Sequence, residues 1–444
     1  MSQVREYRML IDGAWLPAED GAIIESVNPS DNRIWATFPS ASAADVDRAV
    51  RAAHHAMYDG PWSRLTATER GKLLYRLADL LSENAGQLAD VETKDTGKLP
   101  RETLSQIRYV AEYIRYFAGC ADKLEGATLP IDKQEMFVMT TREQIGVVAA
   151  VIPWNSQLML TAVKLGPALA AGNAIVIKAS EHAPAPLLEF GRLCGEAGFP
   201  PGIINIVTGV GNPCGQTLTS HPLVARIAFT GGTSAARQVI RNSAENFASV
   251  SLELGGKSPI IVFDDADLDN AVNAILAGNF GASGQSCVAG SRVFIQAGVF
   301  EEVIARVAAR AREIKIGDPL AEATEMGPLA TKDQRDKIET VLASSVEAGA
   351  KLVTGGRRPQ GVDAGFYFEP TVLVCADADT PAARTELFGP VLCAFRFDDE
   401  SDVIARANDS EFGLAAGVFT RDVARAMRVM KRVRSGIVLS LIHI

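Results

Sequence analysis

From residue 145 onward the chain alternates short apolar runs with amphipathic stretches. Ile145–Ile152, Ala174–Ile177, Ile203–Val207, Val224–Phe229 and Ser249–Leu254 read as strands, and the segments around 158–171, 184–197 and 233–246 as the helices between them. Short apolar strands separated by helices predict a parallel sheet covered on both faces, an architecture suited to dinucleotides. Ligands of such sheets sit beyond the carboxyl ends of the strands, where Pro153-Trp154-Asn155, Lys178, Gly209 and Gly231-Gly232 fall. A second α/β series starts near 255. Its strands are expected near 259–263, 292–296, 366–374, 391–397 and 414–419, with helices near 267–279, 299–314, 331–348 and 400–408.

Upstream, a short strand region precedes mainly helical sequence up to about residue 120. Ser42 with Asp45 and Thr66 with Glu69 have capping-box spacing. Leu73, Leu74, Leu77, Leu80 and Leu81 form an amphipathic stripe behind the second box. Residues 126–144 read as extended. Between Arg421 and Arg434, the spacing of Val423, Met427, Met430 and Val433 predicts a helix that turns these residues to the core and its basic side to solvent. The chain closes on a strand-like Gly436-Ile437-Val438 and then Leu439-Ser440-Leu441-Ile442-His443-Ile444. That hexapeptide translates the transposon end CTGTCTCTTATACACATC, so residues 439–444 are expected to be a sequencing-adapter scar on a natural sequence that ends at Val438. Resequencing the source locus checks this, and a natural stop codon directly after Ile444 would contradict it.

A length of 444 residues allows two or three domains and a large core. A net charge of −9 argues against a nucleic-acid surface, which needs clustered Lys and Arg. The cysteines at 120, 194, 214, 287, 375 and 393 are scattered, without a close pair, which disfavours a disulfide framework or a zinc site and fits a reducing compartment. The histidines lack metal-ligand spacing. The stretch from Met1 to Arg8 is charged and has no apolar h-region, and the apolar runs fall far short of the roughly 20 residues that span a bilayer. A cytoplasmic protein that binds neither membrane nor nucleic acid is therefore expected.

Within this frame Cys287 stands out, at the end of Phe280-Gly281-Ala282-Ser283-Gly284-Gln285-Ser286-Cys287. A thiolate is a strong nucleophile, and Gly281 and Gly284 permit close backbone approach. Glu253, ahead of Leu254-Gly255-Gly256, offers a carboxylate to activate water. A thiol and a carboxylate with little histidine point to covalent catalysis through a thioester. The Asn155 amide could donate to an oxyanion. Lys178, with Glu181 three residues on, could bind ribose hydroxyls or phosphate, and Gly231-Gly232 before a helix resembles an anion site. Taken singly, each has an ordinary alternative: a buried thiol, a capped carboxylate, a turn Asn or a snorkelling Lys. Gly209-Val210-Gly211 is only a fragment of GxGxxG, because position 214 is Cys.

Together these residues resemble the NAD(P)-dependent aldehyde dehydrogenase superfamily over residues 7–438. Leu252–Pro259 and Phe280–Cys287 carry the resemblance, supported by Pro153-Trp154-Asn155, Gly172-Asn173 leading to Lys178-Ala179-Ser180-Glu181, Phe229-Thr230-Gly231-Gly232-Thr233 and Glu386-Leu387-Phe388-Gly389-Pro390. The resemblance implies an α/β fold with a Rossmann-like cofactor domain (1–125 and 145–254), an oligomerisation arm (126–144) and an α/β catalytic domain (255–438). It implies that Cys287 is the nucleophile, that Glu253 activates the deacylating water and that Asn155 stabilises the oxyanion. Lys178 and Glu181 would hold the adenosine ribose, and Glu386 and Phe388 the nicotinamide half, with Trp154, Gly209, Gly231 and Gly232 along the cofactor path. Glu181 on the ribose hydroxyls disfavours a 2′-phosphate, so NAD is expected ahead of NADP. A small-molecule aldehyde substrate, no metal, and a homodimer or homotetramer at full length complete the expectation.

Some residues depart from the family pattern. Ser156-Gln157 follows Trp-Asn where Phe-Pro is frequent, Gly232 stands where many members carry Ser, and Ala236 where many carry Gly. Members also continue with a Gly-rich active-site segment and a terminal strand, so the catalytic domain is expected to lack its C-terminal end. Three other readings stay open. A CoA-acylating semialdehyde dehydrogenase is disfavoured by the presence of Glu253. A cofactor-independent thiol hydrolase would want a His partner, and only His182 and His221 are available. A non-catalytic scaffold or an inactive truncated fragment is the third.

Overall fold

The structure, a computed structural model, describes residues 4–440 except 363. The chain divides into two compact units, the first ending at Glu253 and the second starting at Leu254. Asn28–Arg33 and Thr96–Pro100 group with the second unit, whereas the expected division ran unbroken through 1–125.

The first unit is built on a seven-stranded sheet in the order Ser249–Glu253, Val224–Thr230, Val147–Val151, Ala174–Lys178, Ile204–Val207, Met9–Ile11, Ala14–Leu16. The first five strands are parallel, and the N-terminal hairpin adds antiparallel to them. The three central strands are buried almost throughout and are apolar except for Lys178 and Asn205, which are buried with them. Helices Gln157–Ala170, Ala185–Ala197 and Thr233–Ser243 lie in the sequence between them. Strand order reverses at Val147–Val151, which opens a crevice beyond its carboxyl end, because the connections on either side leave in opposite directions. Both capping boxes form, and the Leu stripe buries Leu74, Leu77 and Leu81. Residues 126–144 contain an exposed antiparallel pair, Ala127–Leu129 with Val138–Thr140.

Asp95, buried near the end of helix Ala85–Thr96, ties three parts of this unit together. It accepts hydrogen bonds from Ser26 Oγ at 2.6 Å, Trp35 Nε1 at 3.1 Å and the Ala185 N–H at 2.9 Å. Burial raises its pKa to about 6 against the pull of those donors. A raised carboxyl pKa means that the fold favours the protonated form. Its stabilising contribution is complete below the unfolded-state value and is lost as pH rises through about 6, an effect of about 3 kcal/mol. Asp95→Asn cannot titrate. Wild type should therefore lose stability relative to the variant between about pH 4 and about pH 6 in paired denaturant titrations. A pH-independent difference would sink the argument.

The second unit has its own seven-stranded sheet, ordered Lys351–Thr354, Thr371–Val374, Val391–Phe397, Arg292–Gln296, Pro259–Val262, Ala415–Phe419, Ile437–Ser440. It is parallel except for the Lys351–Thr354 edge. That edge strand is not among the predicted ones, since it is short and only partly buried. The strand expected over 366–374 pairs only from Thr371, because Pro370 has no N–H for the ladder. Phe366, Tyr367 and Phe368 are buried outside it.

Helix Val423–Arg432 forms as predicted but presents a different face. Ala426, Val429 and the expected Val433 are buried, while Val423 and Met427 are exposed. The final strand runs past Val438, pairing Leu439 with Gly417 and Ser440 with Val418, since a parallel ladder uses backbone groups alone. Residues 441–444 of the hexapeptide lie outside the described residues, as do residues 1–3.

Candidate active site

The candidate residues divide between the units: Trp154, Asn155, Lys178, Glu181, Gly209, Gly231, Gly232 and Glu253 belong to the first, Cys287, Glu386 and Phe388 to the second. In the first unit they all lie at or just beyond the carboxyl ends of the parallel strands. Trp154 and Asn155 follow Val147–Val151, and Asn155 is 7% exposed. Lys178 closes Ala174–Lys178 and is buried rather than snorkelling. Its Nζ donates to the Ala179 carbonyl oxygen at 3.0 Å and lies 3.5 Å from Glu181 Oε2. Burial works to raise the Glu181 carboxyl, but the Lys178 charge, a backbone N–H and His182 outweigh it and hold the group below its ordinary range.

Gly209 follows Ile204–Val207, with Cys214 packed against it at the place of the missing third glycine. Gly231 donates its N–H to the Glu253 carbonyl oxygen at 3.1 Å, joining two adjacent strand ends. Gly232 is the N-cap of helix Thr233–Ser243, with no side-chain cap and no neighbour where a Cβ would stand, a helix N-terminus of the kind that suits an anion. A helix N-terminus and a Lys–Glu pair, its lysine buried and its carboxylate half-exposed, stand at the ends of strands flanking Val147–Val151 and fit a dinucleotide, the helix for its phosphates and the pair for a ribose.

Lys164 emerges only from the structure. It is buried in helix Gln157–Ala170, with Nζ donating to Thr230 Oγ1 at 2.6 Å and to the Leu160 carbonyl oxygen at 3.2 Å. Burial lowers its pKa to about 8, and the charge of Glu253 resists that fall. The available signal was helical spacing, which puts Gln157, Thr161, Lys164 and Ala168 on one buried face.

In the second unit the candidates gather at the amino ends of three adjacent strands. Segments 254–258, 284–291 and 386–389 lead into Pro259–Val262, Arg292–Gln296 and Val391–Phe397, which lie side by side. Cys287 is half-buried, whereas Cys194, Cys214, Cys375 and Cys393 are buried. Ala282 and Ser283 adopt left-handed backbone with φ of 49° and 55°, a costly state for non-glycine residues that the surroundings must impose. They do so through Ser283 Oγ, which donates to the Gly327 carbonyl oxygen at 2.8 Å, and Gln285 Oε1, which accepts the Ala330 N–H at 2.8 Å. Gly284 (φ 72°) leaves no room for a Cβ beside the Gly389 carbonyl oxygen, nor does Gly256 beside that of Cys287. Gly281 has nothing near it, so the close approach expected there is found only at Gly284.

The Gly256 N–H donates to Glu386 Oε1 at 3.0 Å. Burial raises the Glu386 carboxyl, with this N–H and the charges of Lys337 and Lys257 opposing. Phe388 has a left-handed φ of 53°, and Gln334 Nε2 donates to the carbonyl oxygens of Leu387 and Phe388. Among the described residues, no group of His, Cys, Asp or Glu could hold a metal ion, and no helix is long and apolar enough to cross a membrane.

A profile of the aldehyde dehydrogenase family matches residues 15–440. The (Z)-2-((N-methylformamido)methylene)-5-hydroxybutyrolactone dehydrogenase of Acinetobacter baylyi is 54% identical over 437 residues, which cover 98% of this chain and 88% of that protein. The NAD+ complex of an aldehyde dehydrogenase from Bacillus cereus matches with a TM-score of 0.96 at 38% identity, over 98% of this chain and 88% of that one. An NADP-dependent enzyme from E. coli matches with a TM-score of 0.95 at 38% identity, over 98% and 90% of the two chains.

Proposed function

Because the chain belongs to the aldehyde dehydrogenase family, we propose that it oxidises an aldehyde to the carboxylic acid with NAD(P)+ through a thioester on Cys287. The observation that carries this reading is the loop before Cys287, strained at Ala282 and Ser283 and clamped on several sides, which presents a half-buried thiol beside the Gly255-Gly256 turn. The Cys287 sulfur attacks the aldehyde carbon, and the Asn155 amide stabilises the resulting oxyanion. The bound cofactor supplies a hydride acceptor for that carbon. Glu253 then takes a proton from the water that attacks the thioester, and the acid leaves as Cys287 recovers its thiol.

Lys178 and Glu181 are assigned to the adenosine ribose, Gly231 and Gly232 to the phosphates, Trp154 and Gly209 to the cofactor path, and Glu386 with Phe388 to the nicotinamide half. The lowered Glu181 carboxyl stays charged at working pH, next to where a 2′-phosphate would sit, which favours NAD over NADP. Glu181→Ser should raise the NADP-to-NAD ratio of kcat/KM by about tenfold or more, mostly by weakening NAD. An unchanged ratio would remove Glu181 from the ribose site.

The reaction itself is tested by NADH formation on a panel of aliphatic, aromatic, amino- and semialdehydes, with and without CoA. Hydroxylactones belong in the panel, since a carbon bearing both a hydroxyl and a ring oxygen is an aldehyde in cyclic form, and the 54% identical relative is named for such a substrate. CoA-independent NADH and free acid are expected. A strict requirement for CoA would shift the assignment to the acylating reaction.

A further inference from the structure

Gln157 opens helix Gln157–Ala170 two residues after Asn155, with Ser156 as the N-cap. Glutamine is mostly a surface residue, yet Gln157 is 0% exposed. Its Nε2 donates to the Ala183 carbonyl oxygen at 2.7 Å. Its Oε1 has no hydrogen-bond partner among the described residues. A buried amide with an unbonded oxygen is unfavourable, and an apolar side chain of the same size would not carry that cost. The single partner sets the orientation of the amide, since only its nitrogen can donate to a carbonyl oxygen.

Ala183 supplies the second observation. It is buried and has a left-handed φ of 56°. That backbone is costly for a residue with a Cβ, so the surroundings must hold it. The turn it belongs to leaves the strand end at Lys178 and carries Glu181. Within the turn the His182 N–H donates to Ser180 Oγ at 3.1 Å. From outside, Gln157 binds the Ala183 carbonyl oxygen, and Asp95 Oδ2 accepts the Ala185 N–H at 2.9 Å. Two side chains from separate helices therefore pin 183–185, and Glu181 stands two residues ahead of the first pinned point. Proline, frequent in the family at the place of Gln157, has no donor for such a bond.

We propose that Gln157 is a positioning residue for the adenosine ribose: by holding the Ala183 carbonyl it fixes the turn at 180–183, and with it the placement of Glu181 beside Lys178. The proposal rests on the assignment of Lys178 and Glu181 to that ribose. Gln157 is fully buried and acts through the turn. Its bond spans the ends of two adjacent parallel strands, Val147–Val151 and Ala174–Lys178, so the segment that carries Asn155 braces the segment that carries Glu181. A carboxylate already held in place loses less freedom when the nucleotide arrives, so the bond acts on affinity and not on the chemical step.

Two substitutions remove the donor. Gln157→Met keeps the length of the side chain, and Gln157→Pro suits the first position of a helix. Calorimetric titration of the full chain with AMP, a probe of the adenosine half alone, and with NAD+ should show both bound about fivefold or more weaker in each variant. The KM for NAD+ should rise with them, while kcat at saturating NAD+ stays within about twofold of wild type. Thr161→Val, one turn along the same buried face, should leave AMP binding unchanged. In a Glu181→Ser background Gln157→Met should weaken AMP no further, because the two residues act in one path. Hydrogen exchange on wild type needs no variant: the peptide covering 180–185 should be protected before AMP is added and change little afterwards. Unchanged AMP affinity in folded Gln157→Met or Gln157→Pro, an equal loss in Thr161→Val, additive losses with Glu181→Ser, or a turn that only AMP protects would overturn the proposal and leave the ribose assignment standing. A wild type that binds neither NAD+ nor AMP would overturn both.

Discussion

Cys287→Ala is expected to abolish aldehyde oxidation, with kcat lower by at least about 10⁴-fold, while the fold and NAD binding persist. No other thiol is positioned to substitute. Cys194, Cys214, Cys375 and Cys393 are buried, and Cys120 ends the helix Pro100–Cys120, which carries none of the candidate site residues. The fold should tolerate the change because the local constraints act on backbone: Gly256 packs against the Cys287 carbonyl oxygen, and Ser283 and Gln285 hold the loop. Steady-state NADH formation and NAD titration by fluorescence quenching measure the two parts. Turnover above about 1% of wild type would remove Cys287 from the nucleophile's role.

Glu253→Gln should split the reaction in time. Attack on the aldehyde and loss of its hydride need the thiolate and an oxyanion donor, whereas hydrolysis of the thioester needs a group that accepts a proton from water. Glutamine keeps the size of the side chain and cannot accept that proton. A burst of NADH matching the enzyme concentration should therefore survive, followed by steady turnover lower by about 10²–10⁴-fold. The substitution also deletes the charge that opposes the fall of the Lys164 pKa, so Lys164 should titrate below its present value of about 8. Stopped-flow absorbance reads the burst, and unchanged steady turnover would refute the assignment of the base.

What could be read from the sequence depended on whether the information was local. Ala174–Lys178 and Ile204–Val207 were legible because a fully buried parallel strand is a largely apolar run, broken here only by Lys178 and Asn205. The capping boxes were legible because each lies within a single helical turn. The burial of Lys178 and Lys164 was not, since a lysine's environment is made by distant groups: the turn containing Gly215 for one, Thr230 for the other. The glycines at 255 and 256 were visible, but not that Cys287 and Glu386, on segments leading into two other strands of the sheet, would press on them. The grouping of 28–33 with the second unit is equally non-local, and rests on bonds such as that from the Phe366 N–H to the Pro29 carbonyl oxygen.

The most direct test of the account is the covalent intermediate itself. Glu253→Gln would be mixed with NAD+ and an aldehyde that wild type oxidises, quenched in acid within the burst, digested and weighed. The account predicts an adduct on the peptide containing Cys287, equal in mass to the aldehyde less a pair of hydrogens, as a thioester requires, and sensitive to hydroxylamine. An NADH burst with an unmodified Cys287 peptide, or with the acyl group on another residue, would contradict it.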